Sequence, residues 1–493
     1  MERNSLISTG IDGLDIILRG GLPPKNMYAI QGSSGSGKTT LGLQFLIAGA
    51  RKGDRCMYIA TSEKPAEIDE IARSHGWSLE GVSINRLSFY GDRGTGGRGQ
   101  TMIAPAEVEL PQIIDSIVRL ISEYDPQRIV LDSLSEIRLL SRERVWFQRQ
   151  LMMLKEFLSG RSSTTLLTDT STEERSELKT VVNGVITMSR TKPLYGPTRR
   201  RLEIEKLRGH DFMSGMHDYA VVRGGLKVFP RLVSSEYKKD FSPETVSTGI
   251  DEFDSLLGGG LDRGTATLLS GAAGTGKSAL VTAIAIAAAR RGERSAIYTF
   301  DERMATIKSR AKSLGMDLEH RRDEGLLEIV QIDPAELTAG EFSSRVIKEV
   351  VEHETSVVAV DSLNGYAYAL PDEHFLSVHL HELAAFLGVR GVVTLMTMAQ
   401  QVGFGLSGGN PPFEVSYVSD TVVNLGYFEY RGTVRKALSV RKRRSGEHDQ
   451  TIRELIMGSS GIRIGAVLDK FEGISNGIPR YVGECPDPEE ECP

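Results

Sequence analysis

Gly32-Ser33-Ser34-Gly35-Ser36-Gly37-Lys38-Thr39 and, in the second half of the chain, Gly271-Ala272-Ala273-Gly274-Thr275-Gly276-Lys277-Ser278 are two copies of the pattern GxxxxGK[ST]. Each copy follows a short apolar run, residues 27–31 or 267–270, and opens a helical pattern, residues 40–51 or 279–291. In that context the pattern has a mechanism. Glycines let the backbone wrap a phosphate and aim several N–H groups at it, and the helix start adds the positive end of its dipole. Gly32, Ser34, Gly35, Ser36, Gly37, Lys38, Thr39 and Thr40 therefore form one expected nucleotide cradle. Gly271, Ala273, Gly274, Thr275, Gly276, Lys277, Ser278 and Ala279 form the other. The two lysines are expected at the β- and γ-phosphates, and the hydroxyls of Thr39 and Ser278 on Mg²⁺. A chance glycine-rich turn competes for one copy, but two copies in register leave it little room.

Outward from the loops, the rest of the chain repeats as well. Ser8-Thr9-Gly10-Ile11-Asp12 returns as Ser247-Thr248-Gly249-Ile250-Asp251, and Gly20-Gly21-Leu22 as Gly259-Gly260-Leu261. Lys38 and Lys277 stand as far apart as Glu63 and Glu302. Asp132 pairs with Asp361, and Lys206-x-Arg208 with Lys442-x-Arg444, at slightly shorter spacings, as loop insertions and deletions produce. So long a period is a duplicated domain, not a solenoid. Apolar runs at 27–31, 57–60, 128–131 and 164–168, and again at 267–270, 296–300, 357–360 and 392–397, alternate with helical stretches. Such runs make a parallel sheet covered by helices on both faces. The expectation is an α/β chain of two tandem P-loop NTPase domains, residues 1–235 and 243–479, each a mostly parallel sheet flanked by helices. The join falls in the polar stretch 231–243, and residues 480–493 read as a flexible acidic tail.

A chain of 493 residues exceeds what one core normally covers, so its length agrees with two domains. The net charge of −6 provides no basic footprint, which weighs against DNA as the main partner. Cys56, Cys485 and Cys492 have no metal-like spacing, and Cys56 is expected in the core. The first residues lack the apolar stretch of a signal peptide, and no apolar run approaches the ~20 residues of a membrane span. A cytoplasmic protein without a membrane partner is expected.

Carboxylates complete the chemistry. Asp132 and Asp361 end apolar strands at the sheet edge where ligands bind, and both open an Asp-Ser-Leu triplet. They are candidate Mg²⁺ holders through water. Hydrolysis also needs a group that orients or deprotonates the attacking water. Glu63 and Glu302 follow the second strand of each half and are the candidates; Asp301 is a further one, with Ser62 at the matching place. Thr168 and Thr397, at strand ends, read equally as γ-phosphate sensors or as plain strand-end threonines.

Together these residues resemble the KaiC family, double-domain RecA-like ATPases best known for a bacterial circadian clock protein. The marks are STGID and GGL before each loop, Ala72-Arg73-Ser74-His75-Gly76-Trp77, Lys206-Leu207-Arg208-Gly209, His448-Asp449 and Ile452-Arg453-Glu454. Ala104-Pro105-Ala106-Glu107-Val108-Glu109-Leu110 looks more like KaiC-like proteins outside cyanobacteria. The resemblance implies a homohexameric double ring with ATP between subunits. It implies that Lys206 and Arg208, and Lys442 and Arg444, reach a neighbour's γ-phosphate. It implies nucleotide contact at Ser74, and C-terminal autokinase activity with Ser416 as the candidate phosphosite. Tyr417 stands where the family has a threonine, so the resemblance does not extend to the ordered two-site cycle. Leu314 replaces an aromatic that could stack on adenine, and Ser62 replaces the first of two glutamates. Binding of the activator KaiA is not expected, because residues 480–493 lack a match to the segment that binds it; a KaiB-like or other signalling partner stays open.

The implied function is an ATPase and Ser/Thr autokinase in timing or stress-type signalling. A DNA-dependent motor and a nucleotide-gated hexameric scaffold are the alternatives, the first disfavoured by charge, the second kept open by Ser62 and Tyr417.

Overall fold

The computed structural model describes residues 6–87, 106–139, 144–171, 177–192, 196–333, 335–369, 373–399, 417–474 and 479–483. The chain divides into two compact units, Met1–Arg231 and Leu232–Pro493. In the first, β1 (Met27–Gly32), β2 (Cys56–Ala60), β3 (Val82–Arg86), β4 (Arg128–Asp132), β5 (Thr164–Asp169) and β6 (Gly184–Thr191) pair in parallel, in the order β3-β2-β4-β5-β1-β6. Three antiparallel strands extend the sheet beyond β6: β7 (Arg199–Leu207), β8 (His217–Val222) and β9 (Gly225–Phe229).

The second unit starts with the short pair β10 (Thr245–Val246) and β11 (Leu261–Asp262). Its sheet is β12 (Ala266–Gly271), β13 (Ser295–Thr299), β14 (Leu327–Gln331), β15 (Val357–Asp361), β16 (Val393–Ala399), β17 (Thr421–Tyr430), β18 (Thr433–Arg443), β19 (Arg453–Gly458) and β20 (Gly461–Val467). Their order, β14-β13-β15-β16-β12-β17-β18-β19-β20, repeats that of the first unit. Two α/β domains of mostly parallel sheet are therefore present, as the apolar runs predict. The antiparallel strands escape the same reading for a physical reason. β7 buries Leu202 and Ile204 but alternates them with Arg201, Glu203 and Glu205, so it lacks the unbroken apolar run of a strand covered on both sides.

Successive residues of each parallel strand serve opposite cores. In the first unit Met27, Ala29, Met57, Ile59, Ile129 and Leu131 pack against the helices Ala106–Tyr124 and Arg144–Ser159. The other face meets the helix Lys38–Ala50, where a Cβ on Gly42 would lie 2.8 Å from Val130 Cγ1; only glycine lets that helix sit so close. In the second unit Leu269, Ile297, Ala359 and Leu395 face the helix Lys277–Arg290, and Leu268, Tyr298, Val358 and Met396 face the opposite core. Both long helices start at the lysine, two residues earlier than predicted, because the left-handed Gly37 (φ 99°) and Gly276 (φ 111°) cap them.

One ion pair belongs to the first unit's core. Arg128 is 2% exposed; its Nε meets Asp54 Oδ2 at 2.8 Å, and Nη1 donates to the carbonyls of Ser8 and Phe45. Arg128→Ala would strand a carboxylate and two carbonyls, so about 3–5 kcal/mol of stability should be lost, measured by denaturant unfolding of the full chain.

Candidate active sites

Each phosphate loop leaves the C-terminal end of β1 or β12, a strand paired in parallel on both sides and one strand removed from the antiparallel extension. In the first unit Lys38 is 7% exposed, and its Nζ donates to the carbonyls of Gly32 (2.7 Å) and Ser33 (3.1 Å). Burial pulls its pKa below the usual lysine value, while Asp132, Asp169, Glu136 and Glu63 work in the opposite direction. Thr39 Oγ1 donates to Asp132 Oδ2 at 2.6 Å, Tyr58 donates to the same oxygen at 2.6 Å, and Thr168 donates to Oδ1. Hydroxyls from three separate stretches thus converge on Asp132 beside the loop lysine.

The loop is shaped for a bound group. Gly35 is left-handed (φ 73°), and a Cβ on Gly32 would lie 2.4 Å from the carbonyl oxygen of Met188. Ser36 Oγ is buried with no hydrogen-bond partner among the described residues. Ser34 is exposed, and Thr40 is buried in the helix's first turn. These residues fit a Mg²⁺-nucleotide: backbone and lysine for phosphate, Thr39 and Asp132 for the metal.

The second unit repeats the arrangement. Lys277 Nζ donates to Gly271 and Ala272 carbonyls, both at 2.8 Å, and Thr397 donates to Asp361 Oδ1 at 2.5 Å. Thr275 Oγ1 donates to the carbonyl of Ala272, Tyr427 donates to that of Ala273, and Ala279 is buried. A cleft of about 330 Å³ opens here, lined by Lys277, Ser278, Glu302, Arg310, Leu314 and Lys436 among others. Glu302 is paired with Arg310, yet its Oε2 is buried without a partner among the described residues. Burial lowers the pKa of Lys277, and among the described residues only Asp361 opposes it.

The remaining predicted residues divide. Glu63 is half-buried beside the first loop and accepts from Ser62 Oγ at 3.0 Å. Burial first, then Asp132, holds its carboxyl above the usual range. Asp301 is exposed and accepts from Ser362 Oγ at 2.5 Å. Ser74 turns back to the carbonyl of Ile71, while its counterpart Ser313 lines the second cleft. The basic pairs do not join their own loops. Lys206 lies opposite Val185, three residues along β6 from Met188, which faces Gly32, so about 10 Å separates them along the strand. Lys206 Nζ donates to the carbonyls of Lys179 and Val182, and Arg208 to that of Thr180 at 3.5 Å. Lys442 and Arg444 similarly donate to Ser419 and Tyr417 carbonyls. Ser416, Cys485 and Cys492 lie outside the described residues.

Sequence reasoning missed several side chains. A Cβ on Gly35 would lie 2.5 Å from Arg190 Nη1, so an arginine arches over the first loop. Directly opposite it, Arg200 buries an Nε without a partner among the described residues. Tyr427 and Lys436 hold the same cross-strand register in the second unit. The available signal was positional: Arg200 and Lys436 precede the recognised Lys206 and Lys442 by equal intervals. Glu136, close to Lys38, was also passed over.

A family model for the KaiC ATPase matches residues 7–233 and again residues 246–468. The chain is similar over nearly its full length to proteins named Circadian clock oscillator protein KaiC. That of Acaryochloris marina (strain MBIC 11017) is 29% identical over 483 residues, 97% of this chain and 91% of its own. That of Parathermosynechococcus lividus is 30% identical over 483 residues, covering 96% and 88%. Circadian clock oscillator protein KaiC 1 of a Synechocystis strain is 28% identical over 485 residues, covering 97% and 92%. Among the described residues no helix is long and apolar enough to cross a membrane.

Proposed function

The chain belongs to the KaiC family of ATPases, and on that premise we propose that it binds ATP with Mg²⁺ at both phosphate loops and hydrolyses it. The carrying observation is Thr39 Oγ1 within 2.6 Å of the Asp132 carboxylate beside the buried Lys38, with a matching lysine and aspartate in the second unit. When bound, Mg²⁺ neutralises charge on the β- and γ-phosphate oxygens. Loop amides and Lys38 or Lys277 hold the phosphates. Thr39 and Asp132, or Ser278 and Asp361, hold the metal. Glu63 and Glu302, with Asp301, face the attacking water. Because Lys206, Arg208, Lys442 and Arg444 sit away from their own loops, their cations act on a neighbour's γ-phosphate. That requirement calls for an oligomer, and by family resemblance the working form is a homohexameric double ring. By family resemblance the C-terminal unit also phosphorylates its own chain, at Ser416, and the protein serves timing or signalling with a KaiB-like partner, in the cytoplasm.

Purified protein given labelled ATP and Mg²⁺ should release phosphate and label itself, with Ser416→Ala lowering the labelling. Absence of any magnesium-dependent ATP uptake by calorimetry would overturn the proposal. A many-fold rise in turnover on adding single-stranded DNA would assign a motor instead.

Glu63 also sets a pH dependence. It must be ionised to accept a hydrogen bond from water, and its pKa is raised. Turnover in the first unit, isolated with Lys277→Ala, should fall on acidification at a pH above the ordinary glutamate value of about 4.3. A pH–rate profile with its acid limb at that ordinary value would remove Glu63 from the role.

A further inference from the structure

The two units differ where Ser62 replaces a carboxylate. Across the repeat, Thr61, Ser62 and Glu63 correspond to Phe300, Asp301 and Glu302, and Asp132-Ser133 to Asp361-Ser362. The backbone agrees: Thr61 N donates to the carbonyl of Asp132, and Phe300 N to that of Asp361. By the second correspondence Glu136 matches Gly365.

The matched serines each hold a carboxylate, but from different points of the chain. Ser362 Oγ donates to Asp301 Oδ2 at 2.5 Å, and Ser133 Oγ donates to Glu136 Oε2 at 2.5 Å. Thr61 Oγ1 donates to the same Glu136 oxygen at 2.9 Å; its counterpart Phe300 has no hydroxyl to give. The place is the same one in space. A Cβ built on Gly365 would lie 2.7 Å from Asp301 Oδ1 and 2.5 Å from Phe300 Cβ, so a side chain from that position runs into the Asp301 carboxylate. Where Asp301 is present its partner is glycine; where Ser62 is present its partner is glutamate.

We propose that Glu136 supplies the second catalytic carboxylate of the N-terminal ATPase site, taking from the helix after β4 the place that Asp301 takes from the loop after β13. Glu136 sits among the carboxylates that act on the Lys38 ammonium, and it adds to the upward push on Glu63. In the step it serves, the water oxygen bonds to the γ-phosphorus while the bond from that phosphorus to the bridging oxygen breaks. The electron pair leaves with ADP, and the proton of the water passes to the Glu136 carboxylate, with Glu63 accepting the water's other hydrogen bond. The N-terminal site is on this view a complete hydrolase.

The inference rests on the ATPase reading above, and the test separates the two. Glu136→Gln keeps an acceptor for Thr61 and Ser133, and is made with Lys277→Ala so that all turnover comes from the first unit. Calorimetric affinity for ATP–Mg²⁺ should stay within about threefold. Turnover should fall about 10²-fold or more, the usual worth of a general base, and nucleotide extracted from the protein should shift from ADP to ATP. Moving the carboxylate back, with Ser62→Asp, Thr61→Phe and Glu136→Gly together, should regain at least about tenfold over Glu136→Gln. Turnover of Glu136→Gln within threefold of its parent would overturn the inference. So would a loss that the relocated carboxylate does not recover, since Glu136 would then only brace Thr61 and Ser133. Failure of the parent itself to bind ATP would overturn the ATPase reading instead.

Discussion

Lys277→Ala is expected to silence the C-terminal site, cutting its turnover by about 10²–10³-fold as loss of a preorganised cation does, and to abolish self-labelling while nucleotide binding in the first unit persists. Lys38→Ala should silence the N-terminal site alone. The two substitutions differ in their second effect. Lys38 is set among four carboxylates, Asp132, Asp169, Glu136 and Glu63, whereas among the described residues Lys277 answers to Asp361 alone. The Lys38 ammonium hydrogen-bonds the carbonyls of Gly32 and Ser33 rather than a carboxylate, and Asp169 keeps Arg138 at 2.7 Å. The four carboxylates offset more of the cost of burying the Lys38 ammonium than Asp361 does for Lys277, so in nucleotide-free protein Lys38→Ala should cost the first unit more stability than Lys277→Ala costs the second. Calorimetric melting without ATP measures both. Equal losses would show that the carboxylates around Lys38 are compensated by other partners.

Much of this was legible in the chain because the phosphate loop is a local device. Its glycines, lysine and hydroxyl are contiguous, so Gly32–Thr39 can be read without a fold. Asp132 and Asp361 were legible at one remove, since an apolar run ending in aspartate identifies a strand tip. Beyond that, legibility failed where a role depends on contacts across the fold. Glu136 is an ordinary early-helix glutamate until Thr61 and Ser133, from a neighbouring strand end and its own turn, are seen to donate to it. Arg190 lies at the exposed end of β6, beyond its buried start, and Lys436 just before the buried run of β18, and only the sheet's register brings them over the loops. Comparing the repeats still had more to yield. The paired change of Ser62 with Glu136 against Asp301 with Gly365 is visible in the sequence once the second halves of the repeats are set on their own, shorter spacing.

Arg208→Ala should remove N-terminal turnover by about 10³-fold or more, the worth of a cation supplied in trans, without weakening the fold. Lys206 has its pKa lowered by burial first and then by Arg208 and Lys155, so three cations crowd one edge of the unit. A cluster of like charges costs stability on its own and repays it only when an anion arrives. Removing Arg208 should leave the ATP-free melting temperature unchanged or slightly raised, which separates this residue from a structural arginine such as Arg128. Complementation then tests the geometry. With Lys277→Ala in both chains, Lys38→Ala lacks a competent loop but keeps Arg208, and Arg208→Ala has the reverse defect. In a ring of identical subunits every interface joins one chain's loop to the next chain's edge. Each variant alone should be inactive, yet an equal mixture, dissociated and reassembled with ATP, should regain about a quarter of parental turnover, because about one interface in four then pairs an intact loop with an intact arginine. An inactive mixture whose rings have demonstrably exchanged subunits would place the Arg208 contact within its own chain, against the separation of about 10 Å that β6 and β7 impose.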